Sequence, residues 1–239
     1  MEHGNEVCPS VNRTAKTVTA VLGAVFGISG FAHGFFETLQ GYTPTGGMFI
    51  EAIGEAHRMW EFGREPAITV IPNFLITGIA AMLVSIAAIV WSLGFMHRKQ
   101  AHLIFLMLFS ISLFVGAGVA QVLIFPVIWA FSTRIRKPLN MWRKLLKGKA
   151  QAIIAAIWAP LTALSAISIL YALQVAISGF VPGVSDPDIK TTVMLACLGA
   201  GVATMLVSYV AAFANDIKKG GAIYEEVSRG ICVKARGNG

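Results

Sequence analysis

Long apolar runs separated by short polar segments dominate the chain, and five of them are long enough to cross a membrane as helices. A helix needs about 20 residues to span a hydrocarbon core of about 30 Å. The five runs cover residues 17–36, 73–96, 103–131, 150–180 and 191–214. The pattern predicts an all-α integral membrane protein, built as a bundle of about five transmembrane helices.

Polar segments flank a single transmembrane domain. Residues 1–16 form a polar N-terminal segment, residues 17–214 the helical domain, and residues 215–239 a polar C-terminal tail. The runs leave no stretch of ordinary size for a separate soluble domain. Composition agrees, since 56% of the residues are apolar and only 13% are Asp, Glu, Lys or Arg, about half the charged share of a soluble domain.

The loop between the first and second runs, residues 38–72, is polar and rich in turn-forming residues. Within it, residues 48–62 have a helical periodicity. The apolar positions on one helical face are Phe49, Ile53, Ala56 and Trp60. This spacing predicts an amphipathic helix that lies flat at the membrane interface. A helix packed on the end of the bundle is the alternative.

The third run, residues 103–131, is longer than a crossing requires. As one helix it would measure about 43 Å at 1.5 Å per residue, against a core of about 30 Å. It therefore tilts, protrudes or breaks, and Gly116, Gly118 and Pro126 are positions where a break is tolerated. A full crossing is the commoner behaviour and is our prediction. A re-entrant hairpin that turns at the two glycines is the alternative.

Positive charge is concentrated between the third and fourth runs. The chain carries a formal charge of +7, and the loop 132–149 holds seven Lys and Arg residues and no acid. Such a loop is typical of the cytoplasmic side, so we expect this loop and the C-terminus to be cytoplasmic. Candidates for binding an anionic lipid or an acidic partner surface are Arg134, Arg136, Lys137, Arg143 and Lys144.

The side on which the N-terminus lies depends on the third run. Five full crossings place the N-terminus outside, with fourteen Lys and Arg residues inside and five outside. However, Arg13 and Lys16 before the first run, and the five acids from Glu37 to Glu65 after it, favour the opposite orientation. A re-entrant third run removes the conflict, because both termini are then inside and three basic residues lie outside.

The first run carries a row of glycines at Gly23, Gly27, Gly30 and Gly34. Their spacings of four, three and four residues place them on one face of a helix. Residues without a side chain let a second helix approach closely, which is how helices associate in lipid. We expect this face to pack against another helix and to assemble the bundle or a complex.

Ionisable side chains are scarce within the runs, and His33 and Glu37 are the exception, one helical turn apart at the end of the first run. The next loop repeats this spacing in His57 and Glu61. Imidazole and carboxylate groups bind divalent metals, so these four residues are a candidate metal site. Alternatively, His33 and Glu37 are the acid–base pair of a membrane-embedded enzyme.

A third interpretation of these groups is structural, with ion pairs such as Glu37 to Arg58 or Arg64 holding the loop to the helix ends. The HxxxE spacing is a weak pattern and matches no metal signature. Haem is disfavoured, because axial histidines should project from facing helices at one depth and only His33 lies within a run.

Two amides within the runs, Gln121 and Gln174, are costly to leave unpaired and are candidates for lining a cavity. No motif fixes a reaction. We therefore expect a non-catalytic subunit or scaffold of a membrane complex. The alternatives are a membrane-embedded enzyme or metal-binding protein that uses the His and Glu cluster, and a small-solute or lipid transporter. Expected partners are the lipid bilayer and other membrane subunits or a second copy, with no nucleic acid.

Overall fold

A computed structural model describes the backbone of residues 11–119 and 121–228, and the side chains of residues 11–119 and 124–220. The helices are α1 (Arg13–Thr38), α2 (Phe74–Gly94), α3 (Ala101–Phe114), α4 (Gln121–Ser132), α5 (Asn140–Leu145), α6 (Gly148–Ala156), α7 (Trp158–Ser178) and α8 (Pro187–Ser228). Two short strands, β1 (Phe49–Glu51) and β2 (Pro66–Ile68), lie between α1 and α2. Of the described helices α1, α2, α7 and α8 are long and apolar enough to cross a membrane, which indicates an integral membrane protein.

The third apolar run is a helical hairpin. Helix α3 ends at Phe114, the chain turns over residues 115–119, and α4 returns. Phe109 of α3 stacks on Phe125 of α4 with ring centroids 4.7 Å apart, and Arg136 after α4 donates 2.8 Å to the carbonyl of His97 before α3. The single continuous helix predicted over residues 103–131 is therefore wrong, because the chain turns back at the two glycines.

The turn of this hairpin obtains its hydrogen bonds from β2. Gly116 N–H donates to Ile68 O at 2.9 Å and Val119 N–H to Pro66 O at 3.2 Å. The Thr77 hydroxyl of α2 donates 2.9 Å to Val115 O. Irregular backbone at membrane depth is tolerated only where protein satisfies its polar groups. The strands therefore satisfy the backbone groups where the chain reverses.

The loop between α1 and α2 forms a cap of two antiparallel strands with Ile50 opposite Ala67. The amphipathic helix predicted over residues 48–62 is wrong: this segment holds β1 and a 3₁₀ turn over Glu55–His57. Burial follows a period of two, since Ile50 and Ala52 are buried and Phe49 is 82% exposed. The Gln40 side chain fixes the strand by donating to the carbonyls of Glu51 and Ala52.

The fourth apolar run is broken rather than continuous. Helix α6 ends at Ala156 and α7 begins at Trp158, so the break lies at Ile157, three residues before Pro160. Pro160 is the third residue of α7, where its missing N–H removes no intrahelical bond. The break precedes Pro160 because proline fits the first turn of a new helix.

Both ends of the described chain lie at one end of the bundle. Asn12 donates 2.7 Å to the carbonyl of Arg134, and the Asp216 carboxylate accepts from the N–H groups of Thr14 and Ala15 at 2.9 Å. The start of α1 and the part of α8 around Asp216 therefore lie side by side. Helix α8 runs beyond Ala214 to Ser228, so the start of the predicted polar tail is helical. Residues 1–10 and 229–239 lie outside the described chain.

The glycine row of α1 packs against α2 of the same chain. A Cβ at Gly34 would lie 2.6 Å from Gly78 O, and Cβ atoms at Gly23 and Gly27 would overlap the side chains of Ser92 and Ile89. Gly30 is also buried in α1. A partner within the chain therefore occupies this face, and it is not free to bind another subunit.

Candidate functional site

The end of α1 holds an imidazole paired with a carboxylate from the cap. His33 Nε2 lies 3.1 Å from Glu65 Oε2, and the two side chains are 6% and 19% exposed. Glu65 directly precedes β2 and has a backbone φ of 49°, in the left-handed region that residues other than glycine rarely adopt. A strained conformation thus directs the Glu65 carboxyl group towards the helix.

Hydrogen bonding fixes how this pair carries protons. His33 Nδ1 lies 2.9 Å from the carbonyl of Ser29, which only accepts, so Nδ1 carries a hydrogen. Nε2 then has two possible states. It accepts a hydrogen bond from a neutral Glu65 carboxyl group, or it carries the proton and donates to a charged carboxylate. In both forms one proton lies between Nε2 and Oε2. The geometry is that of a proton donor and acceptor in close contact.

Glu37 lies one turn further along α1 and is 0% exposed. Neither of its carboxyl oxygens has a hydrogen-bond partner among the described residues. The Thr77 hydroxyl points towards the carboxyl group but donates its proton to Val115 O. Buried carboxyl groups without a partner are costly and are commonest at functional positions.

The turn of the re-entrant hairpin covers both α1 side chains. Gly116 and Gly118 each have φ of +97°. A Cβ at Gly116 would overlap the Glu37 carboxyl oxygens, and one at Gly118 would lie 2.7 Å from His33 Nε2. Glycine is required here twice over, for its backbone conformation and for space. The sequence pattern singled out the two glycines and the two ionisable residues, and the fold brings them together.

An apolar cavity of about 150 Å³ opens from the His33 and Glu65 pair into the bundle. It lies between α1, α4, α7 and α8. Its apolar walls beyond α1 are formed by Ile124, Ile169, Ala172, Leu173, Met194 and Leu198. A cavity of about this volume accommodates a molecule the size of benzene. The site is an apolar chamber with one ionisable pair in its wall.

Trp60 anchors the cap to α7 beside this chamber. Its indole N–H donates 2.8 Å to the carbonyl of Ala176, whose side chain lines the cavity. The Trp60 ring also lies against Gly179, which follows α7 and leaves no room for a Cβ. The cap that supplies Glu65 is therefore fixed to the helices at two places, through β2 and through Trp60.

The predicted metal set does not form. Among the described residues no three His, Cys, Asp or Glu side chains lie close enough to share a metal ion. Glu61 is exposed, and His57 lies half-buried in the 3₁₀ turn. The predicted spacing of His57 and Glu61 assumed an α-helix, whereas His57 ends a 3₁₀ turn and residues 58–61 are not helical.

The predicted ion pairs from Glu37 to the loop arginines are absent as well. Arg58 pairs with Glu51 within the cap, and Arg64 lies 3.6 Å from Glu51. Arg58 also approaches Glu55 at 3.8 Å. Arg58 and Arg64 therefore form their ion pairs within the cap, and neither of them pairs with Glu37 or Glu65.

The residue that sequence reasoning missed is Glu65. It was one of several loop acids, and the helical spacing of His57 and Glu61 gave no reason to prefer it. The available signal was Pro66, because a residue before proline is disfavoured in a helix. That restriction argues against a continuous helix up to Glu65, although it does not by itself place the carboxylate beside His33.

Gln174, one of the two candidate amides, does not line the chamber. Gln174 donates to Ser178 Oγ at 2.6 Å at the C-terminal end of α7, and it is not among the residues that line the cavity. The side chain of Gln121 lies outside the described residues. The polar groups of the chamber are instead the His33 and Glu65 pair and Ser29.

The predicted basic candidates lie at the opposite end of the bundle from this site and are all exposed: Arg134, Arg136, Lys137, Arg143 and Lys144. Thirteen of the sixteen Lys and Arg residues in the described chain belong to this end. They are Arg13, Lys16, Arg98, Lys99, Arg134, Arg136, Lys137, Arg143, Lys144, Lys147, Lys149, Lys218 and Lys219. Asp216 is the one acid there among the residues whose side chains are described, and it caps α1.

Comparison with known proteins gives no relative from which a function can be transferred: no family model, curated protein or solved structure matches the chain. The four apolar helices indicate an integral membrane protein. Any narrower function has to be inferred from the chemistry of the site.

Proposed function

We propose that this membrane protein binds a small amphiphilic molecule in the chamber and exchanges a proton with it through His33 and Glu65. The observation that carries the proposal is the contact of 3.1 Å between His33 Nε2 and Glu65 Oε2 at the wall of an apolar cavity. An ionisable pair within a membrane domain costs free energy and is a functional candidate by default. It is the acid–base form of the enzyme hypothesis, with Glu65 in place of Glu37 as the partner of His33.

The shape and lining of the chamber define the ligand class. Its volume of about 150 Å³ fits a ring or a short chain, and its walls of Ile, Leu, Met and Ala favour an apolar body. The ionisable pair favours a hydroxyl or similar group that donates or accepts a proton. Metal-assisted chemistry gains no support, because the four predicted ligands do not converge.

Fluorinated probes test this proposal on the purified full-length protein in lipid nanodiscs. Binding of 4-fluorophenol and fluorobenzene is followed by ¹⁹F NMR, since the two rings differ only in the hydroxyl group. We expect 4-fluorophenol to bind about five- to tenfold more tightly, the value of one hydrogen bond. His33→Gln and His33→Ala should reduce this difference.

Filling the chamber provides the matched control. Ala172 is buried in its wall, so Ala172→Phe should abolish binding of both probes. Ala163 is exposed on the same helix, so Ala163→Phe adds the same ring without entering the chamber and should bind as wild type. Equal affinity for the two probes, or binding that survives Ala172→Phe, would refute the proposal.

The role of non-catalytic subunit or scaffold is the second candidate. The exposed apolar residues of α2, including Leu83 and Leu93 at 63% and 60%, support a partner helix there as well as lipid. The glycine row no longer supports it, because α2 occupies that face. Crosslinking from Leu83→Cys in native membranes tests it, with Leu164→Cys on α7 as the control. A specific protein adduct from position 83 alone would favour the subunit role.

The charge distribution supports one orientation of the chain. We infer that the end carrying the thirteen described Lys and Arg residues faces the cytoplasm, by the positive-inside rule. Both termini and the loop 132–149 are then cytoplasmic, and the cap with Glu65 faces the other side. Accessibility of Lys147→Cys and Glu61→Cys to a membrane-impermeant thiol reagent in intact cells tests this orientation. Labelling of position 147 instead of position 61 would refute it.

A further inference from the structure

We propose that a groove at the basic end of the bundle is a binding site for one anionic phospholipid. The groove has an apolar part of about 400 Å³ beside α4 and α8 and a polar part of about 320 Å³ beside α5. The two parts are continuous, because Arg134, Met141 and Trp142 line both. This site is separate from the His33 chamber and does not depend on its function.

The apolar part suits an acyl chain. It is lined by Phe213 of α8 and by four residues of α4, which are Pro126, Val127, Ala130 and Phe131. Ala130 is the small residue among them and is exposed, which leaves the groove open to lipid. Trp142 packs on Phe213 with ring centroids 5.1 Å apart and borders the polar part. Tryptophan is typical of the depth at which acyl chains meet headgroups.

The polar part suits a phosphate group. Arg134, Lys137 and Asn140 line it and are exposed, and no acid lines either part of the groove among the described residues. The loop that carries the two cations is held in place, because Asn12 Nδ2 donates to the carbonyls of Arg134 and Lys137 at 2.7 and 3.0 Å. The nearby carboxylate of Asp216 accepts hydrogen bonds from the N–H groups at the start of α1.

The occupant that satisfies both parts is a glycerophospholipid with a net negative charge. A zwitterionic lipid gains less from two cations, and a free phosphate leaves the apolar part unused. Basic pockets between helices at the cytoplasmic side are suited to anionic headgroups. The continuity of an apolar groove with a cationic pocket distinguishes this position from the rest of the basic end.

Native mass spectrometry of the full-length protein in detergent tests the site with phosphatidylglycerol and phosphatidylcholine of identical chains. Wild type should retain phosphatidylglycerol preferentially. Arg134→Gln with Lys137→Gln should lower that preference about 25-fold, since each cation near an anionic headgroup contributes about fivefold. Arg98→Gln with Lys99→Gln makes the same change of charge at exposed residues outside the groove and should keep the preference.

The apolar part and the source of the phosphate have their own controls. Ala130→Phe fills the groove and should reduce retention of both lipids, while Ala163→Phe on the exposed side of α7 should not. Inorganic phosphate at equal concentration should not displace the lipid. Loss of preference in both charge variants, unchanged retention in Ala130→Phe, or displacement by inorganic phosphate would each overturn the proposal. Elution of every variant as a single folded species keeps these results interpretable.

Discussion

Gly118 lies directly against the imidazole ring of His33: a Cβ at position 118 would come within 2.7 Å of Nε2. Gly116 lies in the same way against the Glu37 carboxyl group. The turn of the re-entrant hairpin therefore packs on both ionisable side chains of α1. Because the β2 carbonyls accept hydrogen bonds from this turn and Glu65 directly precedes β2, the hairpin, the cap and the site form one structural unit.

Gly118→Ala should destabilise the protein by about 2–4 kcal/mol, since the new Cβ meets the His33 ring and the residue keeps a left-handed φ of +97°. Chemical unfolding in mixed micelles measures the loss. Gly148→Ala is the control, because Gly148 also has positive φ but nothing within 4 Å of a Cβ. It should cost about 1–2 kcal/mol. Equal losses would show that His33 is not in contact with the turn.

Glu65→Gln should preserve stability within about 1 kcal/mol, because the new amide N–H₂ donates to His33 Nε2 while Nδ1–H remains on Ser29 O. The amide has no proton to exchange, so proton transfer should be lost. NMR of ¹⁵N-labelled histidine reports the result as a neutral ring protonated at Nδ1. Glu61→Gln, at an exposed position in the same cap, should leave the His33 signals unchanged. A protonated His33 ring in Glu65→Gln at neutral pH would contradict the assigned hydrogen bonds.

Glu37→Gln should change the free energy of unfolding by less than about 1 kcal/mol, because the carboxyl group has no charged partner among the described residues. Removing one member of a buried ion pair costs about 3–5 kcal/mol instead. Chemical unfolding distinguishes the two cases. Glu37→Ala, which also removes the side-chain volume, should cost about 2–5 kcal/mol by the rule for large-to-small core substitutions. A loss in Glu37→Gln as large as in Glu37→Ala would mean that the charge has a partner.

Gly78→Ala should destabilise the α1 and α2 contact by about 1–3 kcal/mol, because its Cβ would lie 2.5 Å from Gly34 O. Gly199→Ala in α8 is the matched control, with nothing within 4 Å of a Cβ, and should stabilise by about 0.5–1 kcal/mol through helix propensity. Thermal unfolding of the two variants provides the comparison. A Gly78→Ala variant as stable as Gly199→Ala would exclude the close packing.

Asp216→Ala should cost about 1–2 kcal/mol, since its carboxylate accepts from Thr14 N–H and Ala15 N–H at the positive end of α1. Asp216→Asn should cost less, because the amide oxygen still accepts. Asp188→Ala on α8, whose carboxylate makes no such contact in the described chain, is the control. Chemical unfolding measures all three variants. No loss in Asp216→Ala would contradict the meeting of the N-terminus and α8 at one end.

The sequence by itself determined the class of protein and the positions of the four long apolar helices α1, α2, α7 and α8. Apolar run length is enough for this, because a bilayer requires about 20 apolar residues per crossing whatever the fold. It also identified Gly116 and Gly118 as break points, and His33 and Glu37 as the exceptional ionisable residues. These features depend on local composition and backbone freedom, so they can be predicted from neighbouring residues.

Only the tertiary structure decided how those features combine. The hairpin returns because strand β2, which lies more than forty residues earlier in the chain, supplies carbonyls to its turn. Glu65 rather than Glu61 meets His33 because the loop pairs as strands instead of forming a helix. The glycine row faces α2, and the start of α1 meets Asp216 of α8. Each outcome depends on contacts between distant segments, and a sequence pattern carries no direct information about which distant segment satisfies a given backbone group.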